Sequence, residues 1–108
     1  MTKLPKPPAA FTSFQTKYPA IATAWEQLST AGEQGPLDEK TQRLVKLGIA
    51  IGSLREGAVN SAARKALAVG VSRDAIDQVI ALAATTIGLP PTVAVHSWIQ
   101  GQLDKPVQ

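Results

Sequence analysis

A single histidine, His96, is the one side chain among 108 residues whose unperturbed pKa falls near neutrality, which makes it the leading acid–base candidate. Proton transfer also needs a partner that orients the imidazole and a reacting group within reach. The other polar groups with chemical potential lie close together in sequence: Arg55 and Glu56, then Asn60 and Ser61. Adjacent opposite charges at a helix start can hold an anionic ligand, or simply serve the cap and the solvent. Asn60 and Ser61 fall in mid-helix, where such residues face a pocket, bond across an interface, or bond back to their own backbone. The chain has no cysteine, so disulfides, cysteine-ligated metals and every thiolate mechanism are excluded. One histidine with scattered carboxylates does not supply a convergent ligand set, so no metal is expected. No phosphate-cradling glycine loop, serine nucleophile elbow or dinucleotide fingerprint is present, and no cofactor is implied.

Helices must position these groups. The stretch from Leu37 to Gly70 reads as two of them meeting at Gly52-Ser53. In the first, Leu44, Leu47, Gly48 and Ile51 recur at helical spacing, and Val45 and Ile49 widen the apolar surface, as in a helix destined for burial. Asp38 stands at its N-cap with Glu39 in the first turn. In the second, Ala58, Ala62, Ala63 and Ala66 give a small-residue surface that a backbone or a partner subunit can approach closely, and Gly70 closes the helix as C′.

The flanking segments follow the same period. A short helix from Ala10 to about Lys17 carries Phe14 toward the core and stops before Pro19, which opens the next helix with its stripe of Ile21, Ala24, Trp25 and Leu28, ending near Gly32. After Gly70, Ser72 is an N-cap with Asp74 in the first turn, and Ile76, Val79, Ile80, Ala83, Ala84 and Ile87 form the cleanest amphipathic stripe. Gly88 ends that helix, and Pro90-Pro91 open the last one, Thr92 to about Leu103, where Val95, Trp98 and Ile99 are the apolar contacts. His96 borders that apolar face beside Thr92, Ile99, Gln100 and Leu103, and Trp25 and Trp98 read as core or interface anchors. No stretch alternates in the manner of a strand, so the fold class is all-α with five to six helices. Residues 1–10, with Pro5, Pro7 and Pro8, read as a flexible arm, residues 11–103 as a single helical domain, and 104–108 as a tail.

The string LDEKTQRLVKLGIAI, then REGAVNSAARKAL with GVSRDAI behind it, resembles the carboxymuconolactone decarboxylase and alkylhydroperoxidase-like (AhpD-like) family over roughly Tyr18 to Gln100. The resemblance implies a helical fold that assembles as a trimer or a hexamer. Peroxidase members carry a Cys-x-x-Cys-x-x-x-His run preceded by a helix bearing a glutamate. Here the two cysteines fall on Arg55 and Ala58, the histidine on Ala62 and the glutamate on Arg43, so none of the four is present. The decarboxylase branch sets its histidine in an H-x-R-A-A-L context, which also lands on Ala62. The family's known chemistry is therefore not expected at its usual position.

A chain of this length buries roughly 60 to 70% of its unfolded surface, and its apolar, alanine-rich helices exceed what so small a core needs, which points to a homo-oligomer. The formal charge of +3 comes from basic residues scattered along the chain and serves solubility rather than nucleic-acid binding. Met1 to Pro5 lacks the apolar run of a signal peptide and no segment has the length of a membrane span, so the default expectation is cytoplasmic with no membrane contact. Gly70-Val71-Ser72 with Ile76 and Val79 imitates a helix-turn-helix, but its outward positions would be Asp74, Asp77, Gln78 and Ala81, and carboxylates repel a polyanion. Two classes stay open: a non-catalytic oligomeric or partner-binding protein, favoured for want of a partner for His96, and an enzyme or small-molecule binder using a relocated site around His96, Arg55, Glu56, Asn60 and Ser61.

Overall fold

The computed structural model describes residues 9–104, so most of the proline-rich arm and all but Asp104 of the tail lie outside the described residues. Six helices and no strand occur among the described residues: α1 (Ala9–Lys17), α2 (Pro19–Glu33), α3 (Glu39–Ser53), α4 (Glu56–Ala68), α5 (Arg73–Ile87) and α6 (Leu89–Leu103). They fall into two compact units, one holding α1 and α2 and the other α3 to α6.

In the first unit, Pro19 occupies the opening turn of α2, where its missing N–H and fixed φ suit a helix start. The Phe14 and Tyr18 rings meet at 5.1 Å, with the Lys17 ammonium 5.7 Å from the Tyr18 centroid. Neither helix buries a residue. This corrects two expectations: Phe14 caps no core, and the α2 stripe is open, with Trp25 55% and Leu28 68% exposed. A helical period marks which residues share a face and does not say what covers it.

The second unit has a dry centre. Leu47, Ile51, Val59, Ala63, Ala66, Ile76, Ile80, Val95 and Ile99 are buried from all four helices, and Trp98 packs half-buried against them. Helix α3 lies against α4 and α5, and α6 against α4 and α5. The Asp38 carboxylate accepts the Thr41 N–H at 2.8 Å and the Ser72 hydroxyl accepts the Ala75 N–H at 3.0 Å, so α3 and α5 start where cap chemistry places them. At the end of α4 the Gly70 N–H reaches the Leu67 carbonyl and the Val71 N–H reaches that of Ala66, each at 3.0 Å, which is the Schellman arrangement with Gly70 at φ +94°. Gly88 (φ +86°, ψ 162°) ends α5 and caps α6 at once, in a region of backbone space that is essentially open to glycine alone. Thr92, the buried polar residue of the core, is satisfied by donating its hydroxyl to the Gly88 carbonyl at 2.8 Å.

Helix α3 departs from its predicted role. Its core side buries Leu47, Ala50 and Ile51, but Val45 is 46% and Ile49 69% exposed, so the apolar surface runs past the core and into solvent.

Candidate functional site

The joint between α3 and α4 sets the first candidates. Ser53 donates its hydroxyl to the Ala50 carbonyl at 2.6 Å and accepts the Arg55 N–H at 3.4 Å. Between them Leu54 takes the left-handed conformation, φ 56° and ψ 29°, which for a residue with a Cβ costs about 1–2 kcal/mol. The turn throws Arg55 to the N-cap of α4, where its side chain makes no cap bond, and both Arg55 and Glu56 are exposed. Ala58 and Ala62 are half-buried and pack against the core. Ser61 is half-buried, and Asn60 keeps its carbonyl oxygen Oδ1 out of solvent with no hydrogen-bond partner. His96 is exposed on α6 beside buried Thr92 and Ile99, the border position its spacing implies. Among the described residues no hydrogen bond or ion pair links His96 to Arg55, Glu56, Asn60 or Ser61.

Two features went unread in the sequence. The first is an apolar groove of about 390 Å³ between α3 and α5, lined by Leu44, Val45, Gly48 and Gly52 on one side and by Val79, Leu82, Ala83 and Ile87 on the other. Its lining contains no charged residue, and nothing lies within 4 Å of where a Cβ would stand on Gly48 or Gly52. Leu82 is 66% exposed at its edge. The pattern Gly48-x-x-x-Gly52 was the available signal, and it marks a helix face that another helix can approach closely. None of the predicted site residues lines this groove.

The second is electrostatic. Burial, then the charges of Arg43, Lys46 and Arg64, hold the Lys65 ammonium below its ordinary 10.5. Of the four residues, Arg43 and Lys46 stand on α3 and Arg64 and Lys65 on α4. Arg43 and Arg64 are half-buried like Lys65, and Lys46 is exposed. By contrast the Asp38 carboxyl lies below its ordinary 3.8 because the Thr41 N–H bonds to its charged form.

No group of three or more histidine or carboxylate side chains able to hold a metal occurs among the described residues. No described helix is long and apolar enough to cross a membrane. Neither the comparison with curated proteins nor that with solved structures returns a match. The model of the carboxymuconolactone decarboxylase family matches residues 19–100, which takes in α2 through most of α6 and both features of α3. With so much of its 108 residues inside that match, the chain belongs to the carboxymuconolactone decarboxylase family.

Proposed function

We propose that this family member acts as a non-catalytic homo-oligomer, joined through the apolar face of α3 and α5. The observation that carries the reading is the uncharged groove whose wall is Gly48 and Gly52, flanked by the exposed Val45, Ile49 and Leu82. On α3, Val45 and Ile49 form one i, i+4 row and Gly48 and Gly52 the next, a ridge beside a furrow. Two copies of such a surface can interlock, ridge into furrow, at the crossing of about −50° typical of that packing. The contact is self-complementary, as a two-fold interface requires, and it brings no like charges together. A two-fold contact of this kind favours a hexamer built from paired trimers over a lone trimer.

The catalytic alternative has less to stand on. Arg43, Arg55, Ala58 and Ala62 occupy the positions where relatives carry glutamate, two cysteines and histidine, and a chain without cysteine forms no thiolate. His96 is exposed and has no orienting partner among the described residues. Sedimentation of the full chain at micromolar concentration tests the reading, with an assembly of several copies expected. A well-folded monomer overturns it, and turnover of an alkyl hydroperoxide with a dithiol donor, above a heat-killed control, overturns the non-catalytic part.

A further inference from the structure

All six large apolar side chains between Ala9 and Glu33, namely Phe11, Phe14, Tyr18, Ile21, Trp25 and Leu28, are between 40% and 68% exposed. Their successive spacings of three, four, three, four and three residues are those of the a and d positions of a coiled coil. Helical hydrogen bonds run up to Tyr18 from both sides of the break before Pro19. The Tyr18 N–H reaches the Phe14 carbonyl at 3.0 Å, the Ala22 N–H reaches the Tyr18 carbonyl at 3.2 Å, and the contact of the Phe14 and Tyr18 rings keeps the seam unbroken there. On α2 the seam is bordered by Ala22, Ala24, Ser29 and Ala31, small residues that let a second helix come close, and Lys17, Glu26 and Glu33 stand off its a and d positions. Helices of nine and fifteen residues that bury nothing are marginal in water on their own.

We propose that α1 and α2 form an association arm whose heptad seam pairs with the same seam of a second copy of this chain. The area suffices. Aromatic side chains offer about 150–250 Å² each, so four near half exposure present about 400 Å², and Ile21 and Leu28 bring the seam to about 600 Å². Two seams set face to face remove about 1,200 Å² from water, which reaches the range of specific interfaces. Charge selects the occupant. From Ala9 to Glu33 one lysine stands against two glutamates, a net charge of −1, so an anionic lipid surface or a nucleic acid gains no attraction there. An uncharged seam flanked by small residues matches itself, and pairing it brings no like charges into the a and d layers. The seam and the α3 and α5 face lie in different units, so neither contact depends on the other. A chain with two different two-fold contacts closes into a dihedral ring, a hexamer among them.

Sedimentation equilibrium of the full chain carrying Ile49→Glu, which charges the α3 and α5 face, tests the arm by itself. A two-copy species is expected, with its association constant lowered at least tenfold when Trp25→Glu or Leu28→Glu is added. Adding Gln27→Glu, an exposed position of α2 off the seam, should leave it unchanged. A monomeric Ile49→Glu chain, no loss in the seam variants, or an equal loss with Gln27→Glu would overturn the arm. The α3 and α5 contact is read separately, by comparing Ile49→Glu with the parent, so either contact can fail alone. Trp98→Phe leaves Trp25 as the one tryptophan, and its emission should move to the red as the chain is diluted through the association range. Emission that ignores concentration would overturn pairing between copies, since it reports a Trp25 environment that a second copy does not change. Binding of a monomer to vesicles of phosphatidylglycerol and phosphatidylcholine, with the same loss in Trp25→Glu and Leu28→Glu, would overturn it in favour of a lipid surface.

Discussion

Lys65 carries a positive charge that burial and three neighbouring cations disfavour in the fold. In the unfolded chain that disfavour is gone, so between the lowered folded pKa and 10.5 the unfolded state binds more protons, and stability rises with pH across that window. The destabilising contribution is fully present below the folded pKa. Lys65→Met should therefore exceed the parent in stability at neutral pH, with the difference closing as pH climbs toward 10.5, as read by denaturant midpoints across pH. Asp38 behaves in the opposite sense: its lowered pKa contributes stability above 3.8 that is lost as pH falls through the folded value. At the start of α5, Ser72→Ala removes the acceptor of the Ala75 N–H and should cost about 1 kcal/mol, measured by urea unfolding. These caps were legible from sequence because a cap is decided within four residues. The charges that act on Lys65 were not, because they come from two helices, and Arg43 entered the reading only as the place of a missing glutamate.

Helix α3 shows how far a pattern reaches at the scale of an element. Its buried side, Leu47 and Ile51, followed from spacing, as did the Ile76 and Ile80 stripe of α5 and the glycine closures at Gly70 and Gly88. Its exposed side did not, because Val45 and Ile49 carry the same hydrophobic signal whether they are covered or left in solvent. The same holds for Trp25 and Leu28 on α2. Gly48 separates the two cases by experiment. Nothing lies within 4 Å of a Cβ placed on it, so Gly48→Ala should stabilise the isolated fold by about 0.5–1 kcal/mol through helix propensity. The same methyl group fills the furrow, so the variant should associate more weakly than the parent. Thermal melts at low concentration and sedimentation at high concentration should move in opposite directions, which a purely structural glycine would not produce. At the joint of α5 and α6, Gly88→Ala forces a side chain into backbone space that glycine alone occupies and should destabilise by about 1–3 kcal/mol in urea unfolding.

Across the whole molecule, the four-helix unit solves its packing problem with small means. Alanines at 63 and 66 let α4 sit close in the core, and the buried hydroxyl of Thr92 is satisfied locally. Apolar side chains stay exposed in each unit, Ile49 and Leu82 on α3 and α5 in one and Trp25 and Leu28 on α2 in the other. If copies of the chain cover these faces, as proposed, the folded state is linked to the chain's own concentration. Family membership and the all-helical fold were both legible from residues 19–100, whereas the association surface needed the relative placement of α3 and α5.

The most direct test is sedimentation equilibrium of the parent chain beside Ile49→Glu and Leu82→Glu, with Val93→Glu as an exposed apolar control on α6 outside the groove lining. Each substitution is at a surface site of one copy, so all three should stay folded. If α3 and α5 form the interface, charge at Ile49 or Leu82 must be desolvated against its own copy across the contact, and association should fall by tenfold or more while Val93→Glu matches the parent. An assembly equally strong in Ile49→Glu and Leu82→Glu, or a parent chain that stays monomeric throughout, would contradict the account.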